Sequence, residues 1–389
     1  MAAIATLGPC KIMIVAGEAS GDLHGASLVQ EIKRMCPDAE VFGIGGPKMA
    51  RQGVGILCST DQMAFLGFVE VLRHLPFVRR VLAQMKDALA ERRPDALILI
   101  DYPGFNLKLA RIAHGLKVPV MYYVSPQIWA WGRSRITKIR EWVDRMVVVL
   151  PFEGEMYGRQ GVRVEFVGHP LLDIVKPTVD ARAFRARYGI GGGDCVVGLL
   201  PGSREQEVSR LLPVMLEAGQ RIRHQLGNVH LVIGAADTLE DPTYHRALKG
   251  YRDSVVLARS ATYDVMKHAD LLLVASGTAT LESAIIGTPM IVLYKVAPLS
   301  YVIARLLLSV PCIGLVNVVA GRKIVPEFIQ GNAEPGRIAT AAVEILRNGR
   351  VNAKMRSDLL QIRSLLGERG ASRRAAQIAM EMIASSGPV

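Results

Sequence analysis

The chain has 389 residues, half of them apolar or aromatic and 21% charged, a composition that excludes extended disorder and suggests two or three folded units of roughly 150 residues. Lys and Arg exceed Asp and Glu by 47 to 35, and the net charge of +12 points to an anionic partner: nucleic acid, an acidic membrane face or a phosphorylated substrate. Cys10, Cys36, Cys58, Cys195 and Cys312 form no C-x-x-C pair, and MAAIATLGPCK lacks the features of a signal peptide, so no zinc site or disulfide framework is expected and a cytoplasmic location is.

In chain order, Lys11–Ala16 (KIMIVA) reads as a strand stopping at Gly17, and helical periodicity follows over Asp22–Met35. The turn between them, Gly17-Glu18-Ala19-Ser20-Gly21-Asp22, has two glycines for close backbone approach and Ser20 or Asp22 as a helix cap. It matches neither the dinucleotide fingerprint nor the P-loop. Glu40–Ile44 is a second strand. Across Phe65–Arg93, Leu66, Val69, Leu72, Phe77, Val81, Met85 and Leu89 recur near helical spacing, interleaved with basic residues that include Arg73, Arg79 and Arg80. Such a helix lies in an anionic interface or packs its apolar face on the sheet, and Pro76 splits it so that each part can serve one purpose. Arg133, Arg135, Lys138 and Arg140 extend the basic face.

Ala96–Ile100 and Val118–Val124 are unbroken apolar runs, as in strands covered on both faces. Asp101-Tyr102-Pro103-Gly104-Phe105-Asn106 follows the first of them, and its carboxylate at a strand tip is equally a helix N-cap or a general base. Arg145–Leu150 and Val164–Val167 close this series. From about Asp173 to Gly193 the periodicity weakens, and that stretch is the linker candidate. Cys195–Leu200, His230–Ile233, Ser254–Leu257, Leu271–Ala275 and Met290–Leu293 are strands of a second series. Two more phosphate-grade turns interrupt it: Pro201-Gly202-Ser203-Arg204, leading into a helix, and Ser276-Gly277-Thr278, with Glu282 one turn further on. Val296–Val316 is nearly long enough to span a bilayer but carries a central Arg305 with Pro298 and Pro311, which favours a buried helix running into a loop. Beyond Pro335 only helix is expected. The pattern as a whole is α/β: two facing Rossmann-like, doubly wound parallel-sheet domains with an interdomain cleft, at 1–175 and 176–365, with helices from about 366 to 389 returning to the first domain or to a partner.

Eight stretches together carry a resemblance. They are GEASGD with His24, Asp101–Asn106, YVSPQIWAW (Tyr123–Trp131), LPFE (Leu150–Glu153), FVGHP (Phe166–Pro170), LPGSR (Leu200–Arg204), ASGTATLE (Ala275–Glu282), and Asn317 with Gly321-Arg322. The chain resembles the lipid A disaccharide synthase family, and the YVSP-x-x-WAW stretch is the narrowest of these signals because it holds two of the three Trp.

The resemblance implies a GT-B, inverting, metal-independent glycosyltransferase without cofactor. Its reaction would join UDP-2,3-diacylglucosamine to 2,3-diacylglucosamine 1-phosphate (lipid X), giving a β-1,6 disaccharide and UDP at the cytoplasmic face of the bacterial inner membrane. By position it places Gly202, Ser203, Arg204, Ser276, Gly277, Thr278, Glu282, Asn317 and Arg322 around UDP. Asp101 becomes the candidate base, with Glu18 and Ser20 near the reacting sugars and His24 and His169 as alternatives for proton transfer. Acylated substrates give Leu66, Val69, Leu72, Phe77, Arg79 and Arg80 the role of a membrane face. A homodimer is a family expectation. The chain departs from the family at Gly104, where many members carry a second acidic residue, so that position cannot share acid–base work.

Three other readings stand beside it. One is another GT-B enzyme using UDP-N-acetylglucosamine, of the peptidoglycan-transferase or 2-epimerase type, whose glycine-rich and His/Glu signatures are missing. Another is a non-enzymatic basic membrane-surface protein, which leaves the four turns unexplained. A nucleic-acid-binding protein has no matching signature here.

Overall fold

The computed structural model describes residues 8–63, 75–126, 128–129, 135–236, 239, 241–251, 254–297, 301 and 312–386. The chain divides into two compact units, Met1–Pro170 with Leu366–Val389, and Leu171–Leu365.

In the first unit β1 (Lys11–Ala16), β2 (Glu40–Gly45), β3 (Gly55–Ser59), β4 (Ala96–Ile100), β5 (Val120–Tyr123), β6 (Arg145–Val148) and β7 (Val164–Phe166) pair in parallel in the order β3-β2-β1-β4-β5-β6-β7. Ile12 to Ala16 and Ala96 to Ile100 are fully buried, which is why both runs are apolar without alternation. Burying each large aliphatic side chain of this kind contributes about 1.5–3 kcal/mol. Register is set by a repeated device. Asp95, Asp144 and Asp270 each stand just before a strand and accept an N–H at the start of its neighbour: Lys11 at 2.7 Å, Val120 at 2.8 Å and Val196 at 2.8 Å.

The helices of this unit are α1 (Ala19–Met35), α2 (Pro47–Arg51), α3 (Thr60–Met63), α4 (Leu75–Arg92), α5 (Pro103–Gly115), α6 (Arg135–Trp142) and α7 (Pro151–Gly158). The apolar face of α4 turns toward the sheet along most of its length. Val81, Met85 and Leu89 enter the core with Leu97, Leu99 and Phe105, and Phe77 packs against the same cluster. Arg79 and Arg80 stay exposed. Pro76 is the second residue of α4, where a missing N–H leaves no bond unmade, so the helix begins at this proline. Leu66, Val69 and Leu72 lie outside the described residues.

The second unit holds β8 (Cys195–Leu200), β9 (Val229–Ala235), β10 (Val255–Arg259), β11 (Leu271–Ala275), β12 (Met290–Tyr294) and β13 (Glu327–Ile329), parallel in the order β10-β9-β8-β11-β12-β13. Its helices are α8 (Leu171–Ile174), α9 (Ala181–Tyr188), α10 (Glu205–Leu226), α11 (Asp241–Ala247), α12 (Thr262–His268), α13 (Thr278–Ile286), α14 (Leu315–Ala320), α15 (Pro335–Arg347) and α16 (Gly349–Leu365).

The stretch expected to be a linker is part of this unit. Asp180 caps α9 by accepting from Ala183 N at 2.8 Å, and Gly189 ends it in the left-handed conformation. Ahead of α9, Asp264 accepts from Thr178 N, Thr178 Oγ1 and Val179 N at 2.6, 2.7 and 3.1 Å. The weak apolar period there reflects short, capped helices, not slack chain.

After α16 the chain re-enters the first unit as α17 (Ala371–Ser386), which packs on α1 through fully buried Ala371, Ala375, Ala376 and Ala379. Arg374 fastens it by donating from Nε and Nη2 to Val167 O at 3.0 and 2.8 Å. Among the described residues no helix is long and apolar enough to cross a membrane. Most of Val296–Val316 lies outside them.

Candidate functional site

In both sheets the strand order reverses beside the first strand of the unit, between β1 and β4 and between β8 and β11. Crevices at such switch points, beyond the carboxyl ends of the strands, are where open α/β sheets bind ligands. The four turns singled out in the sequence follow these four strands.

In the first unit the ring of Tyr102 lies on Gly17, and a Cβ at Gly17 would sit 2.2 Å from Tyr102 Cγ. Tyr102 is fixed at its far end by donating to Met63 O at 3.1 Å. Glu18 is the N-cap residue of α1 but makes no side-chain cap, and Ser20 lies half-buried in the first helical turn. Asp22 does not cap α1 either. It is buried and accepts from Gly46, Lys48 and Met49 N–H at 2.8, 3.0 and 3.0 Å, so it caps the start of α2.

Asp101 and Tyr102 both have φ 47°, and Val124, at the tip of β5, has φ 60°. Three non-glycine residues in the left-handed region at adjacent strand tips cost of order 1–3 kcal/mol each and persist only where the surroundings hold them. Here they are held. Asp101 N donates to Val124 O at 3.1 Å, and Asp101 O accepts from Asn106 Nδ2 at 2.7 Å and from the Tyr122 hydroxyl. Burial, then the Asp101 charge, pushes the Tyr122 phenol well up, so it stays a donor. The half-buried Asp101 carboxylate is not a helix cap, because the N-cap residue of α5 is Tyr102. Such a group can accept a proton from a hydroxyl brought to the strand tips.

Glu153 is a buried carboxyl that the sequence did not single out. It is buried at the start of α7 and accepts from Ser125 Oγ at 2.6 Å, Trp129 Nε1 at 3.2 Å and Leu150 N at 3.2 Å. Burial raises its pKa to about 7, partly offset by these donors, with a smaller upward push from Asp101. Its signal was present in LPFE, where Pro at the first helical position and Glu at the third mark a capped helix start. His24 and His169 are buried, with ring centroids 6.2 Å apart. Burial lowers them to about 4 and about 3, so both are neutral near pH 7 and fit an uncharged packing role better than proton transfer.

In the second unit glycine makes the turns: Gly202 has φ 110° and Gly277 φ 152°. Gly277 is the N-cap residue of α13 and no side chain caps that helix, leaving Thr278 at its first position beside open amides. Ser276 Oγ donates to Ile313 O at 3.1 Å. Ser203 N donates to Glu207 Oε2 at 3.1 Å, and Arg204 Nη1 donates to Glu207 Oε1 at 3.0 Å. Glu207, absent from the sequence reading, therefore occupies donors that an anion would use. Glu282 accepts from Tyr263 hydroxyl at 3.2 Å. A turn of this kind, with amides, hydroxyls and a guanidinium, can hold a diphosphate once Glu207 yields its donors.

One expected contact is placed otherwise. Asn317 is buried and its amide is fully used: Nδ2 donates to Val325 O and Glu327 Oε1 at 3.0 and 2.8 Å, and Oδ1 accepts from Ile324 and Val325 N–H at 2.8 and 3.0 Å. It staples α14 to the approach to β13 and has no group left for a ligand. Arg322 is paired with Asp358 of α16 at 2.8 Å. Among the described residues no three of His, Cys, Asp or Glu converge as a metal site.

A family model described as lipid-A-disaccharide synthetase matches residues 12–382. A protein of Geobacter sulfurreducens named lipid-A-disaccharide synthase is 44% identical over 373 residues, 96% of this chain and 97% of its own. One of Syntrophus aciditrophicus with the same name is 45% identical over 376 residues, 96% and 98% of the two chains. Among solved structures, a UDP-GlcNAc 2-epimerase from Neisseria meningitidis bound to UDP-GlcNAc aligns with TM-score 0.64 at 13% identity, covering 95% and 100% of the two chains. The calicheamicin glycosyltransferase CalG4 also aligns with TM-score 0.64, at 15% identity over 98% and 100%. These likenesses show the two-domain Rossmann-like architecture alone, whereas 40–45% identity over nearly the whole chain lies with the synthases. The chain belongs to the lipid-A-disaccharide synthetase family.

Proposed function

We propose that this chain transfers a 2,3-diacylglucosamine unit from its UDP carrier to the 6-hydroxyl of 2,3-diacylglucosamine 1-phosphate, forming a β-1,6 disaccharide and releasing UDP. One observation carries the reading beyond family membership: a carboxylate-bearing turn stands at the switch point of the first unit and two amide-rich turns at that of the second. The first unit then supplies the base and the second the grip on the nucleotide.

Asp101 takes the proton of the attacking hydroxyl as the new C–O bond forms and the bond to UDP breaks, with an oxocarbenium-like transition state. Glu18 and Ser20, at the start of α1, orient the sugars. The charge appearing on UDP is received by Arg204, the amides at Gly202 and Ser203, and the start of α13 with Ser276 and Thr278. Glu282 accepts from a ribose hydroxyl. Arg204 must leave Glu207 for this, so donor binding exchanges an internal ion pair for a ligand contact. No metal is required, and turnover is expected to survive EDTA. Asn317 acts on the shape of this unit, whereas Arg322, held to Asp358 through Nη2, turns its other donors to UDP. The protein works peripherally at the cytoplasmic face of the inner membrane, where acylated substrates reside, and a homodimer is compatible with the family.

The test incubates purified protein with UDP-2,3-diacylglucosamine and 2,3-diacylglucosamine 1-phosphate and follows UDP and disaccharide. Deacylated UDP-N-acetylglucosamine is the comparison. Product from the acylated pair alone is expected; epimerisation of UDP-N-acetylglucosamine without transfer would overturn the reading.

A further inference from the structure

The second unit carries a cavity of about 560 Å³ lined by Arg210, Lys295, Val296, Ala297, Gln330 and Gly331. Lys295 follows β12 and Gln330 follows β13, so it opens at the carboxyl edge of the sheet, the edge that also presents Arg204 and Ser276. A larger depression around Glu344, Arg347 and Arg350 sits at the other edge, where Arg347 reaches Gln225 at the far end of α10.

Two cations share the smaller cavity, and among the described residues neither makes an ion pair or a hydrogen bond. Seven arginines of this unit are engaged: Arg185, Arg223, Arg347 and Arg356 hold backbone carbonyls, and Arg204, Arg221 and Arg322 hold carboxylates. Like charges gathered in one concavity repel, and an anion placed between them reverses the sign of that term.

The floor of the cavity is fixed. Gln330 sits in the left-handed region at φ 52° and clamps Val296 with both ends of its amide: Val296 N donates to Oε1 at 2.7 Å, and Nε2 donates to Val296 O at 3.0 Å. A non-glycine residue is kept there only by surroundings that over-determine it. The cavity also adjoins the Arg204 turn. Glu207, the partner of Arg204, and Arg210 are three residues apart on α10 and share a face, and Tyr294, next to Lys295, senses both Glu207 and Arg204.

We propose that Arg210 and Lys295 form a second phosphoryl-binding site, one that takes a phosphate monoester and is separate from the turns that hold a diphosphate. A guanidinium fork and an ammonium together suit the three terminal oxygens of a monoester. The identity of the ligand rests on the reaction proposed above, in which the acceptor's 1-phosphate is the only monoester.

The experiment compares wild-type protein with an Arg210→Gln/Lys295→Gln double variant and an Arg210→Lys/Lys295→Arg exchange. Binding of 2,3-diacylglucosamine 1-phosphate in neutral detergent micelles is measured without donor, and binding of UDP separately. The double variant is expected to lose about tenfold or more in affinity for the phosphorylated acceptor, with UDP affinity held within about twofold and partial recovery in the exchange variant. In turnover, the same loss appears in KM for the phosphorylated acceptor, with kcat kept, and is absent with an acceptor lacking the 1-phosphate. An equal loss of UDP affinity would assign both cations to the nucleotide and overturn the proposal, as would unchanged acceptor binding. Wild-type protein that makes disaccharide while the double variant behaves identically defeats this inference alone; wild-type protein that makes none defeats the proposed reaction.

Discussion

The two switch points are built from opposite materials. At β1 and β4 the turns are held by packing and strain: Tyr102 lies on Gly17, and Asp101, Tyr102 and Val124 occupy left-handed backbone under tight hydrogen bonding. At β8 and β11 glycines take the unusual dihedrals, and the polar groups are occupied by an exchangeable partner, Glu207. In the proposed reaction a base is held in one place before the proton moves, whereas a phosphate grip opens and closes with each turnover, and the contrast fits those two demands.

The sharpest way to break this comparison is Asp101→Asn, which keeps the shape of the turn. The expected result is a fall in kcat of about 10²–10⁴-fold with UDP affinity unchanged, read by UDP release and by titration. Arg204→Ala tests the other side: a loss of about 10²–10³-fold in kcat, accompanied by weaker UDP binding, is expected. Wild-type turnover by Asp101→Asn would remove the base; unchanged UDP affinity in Arg204→Ala would remove the grip.

Packing at the first switch point is probed by Gly17→Ala, whose new methyl must displace the Tyr102 ring. A loss of about 1–3 kcal/mol in denaturant unfolding is expected, and no loss would mean that the ring moves freely. The smallest effects are those of pH. His24 and His169 have folded values of about 4 and about 3 against an ordinary 6.5, so below pH 6.5 the unfolded chain binds more protons and stability falls as pH falls. Glu153 runs the other way. Its folded value of about 7 exceeds the ordinary 4.5, so the folded chain holds the extra proton and stability falls as pH rises through that window. Glu153→Gln is expected to flatten the fall between pH 5 and 7, and His24→Phe the acid fall, each by on the order of 1 kcal/mol per pH unit in urea midpoints. Parallel curves for wild type and variants would sink the assignments.

Much of the fold could be read directly because fully buried parallel strands are unbroken apolar runs. KIMIVA, ALILI, CVVGLL and LLLVA coincide with β1, β4, β8 and β11 residue for residue. The edge strands β3 and β13 escaped, since GILCS and EFI are short and only half-buried and carry no such run. Site turns were visible as glycine and hydroxyl clusters at strand ends. What periodicity could not reveal was which polar groups are already spent: Asp22 on α2, Asn317 on the approach to β13, and Glu153 on Ser125 and Trp129 depend on partners distant in the chain. The same ambiguity attends α4, because an amphipathic helix looks alike whether its apolar face meets a sheet or a lipid.

The return of the last helix to the first unit sets the order of events on the ribosome. Ala371–Ser386 covers α1, so the N-terminal core cannot close until the end of the chain has emerged, by which time the whole of Leu171–Leu365 is already outside. Synthesis from the N-terminus ordinarily lets the leading domain fold first. Here the internal unit is outside before α17 can cover α1, so the leading half is expected to wait with an uncovered helix, the interval in which a chaperone has most to protect.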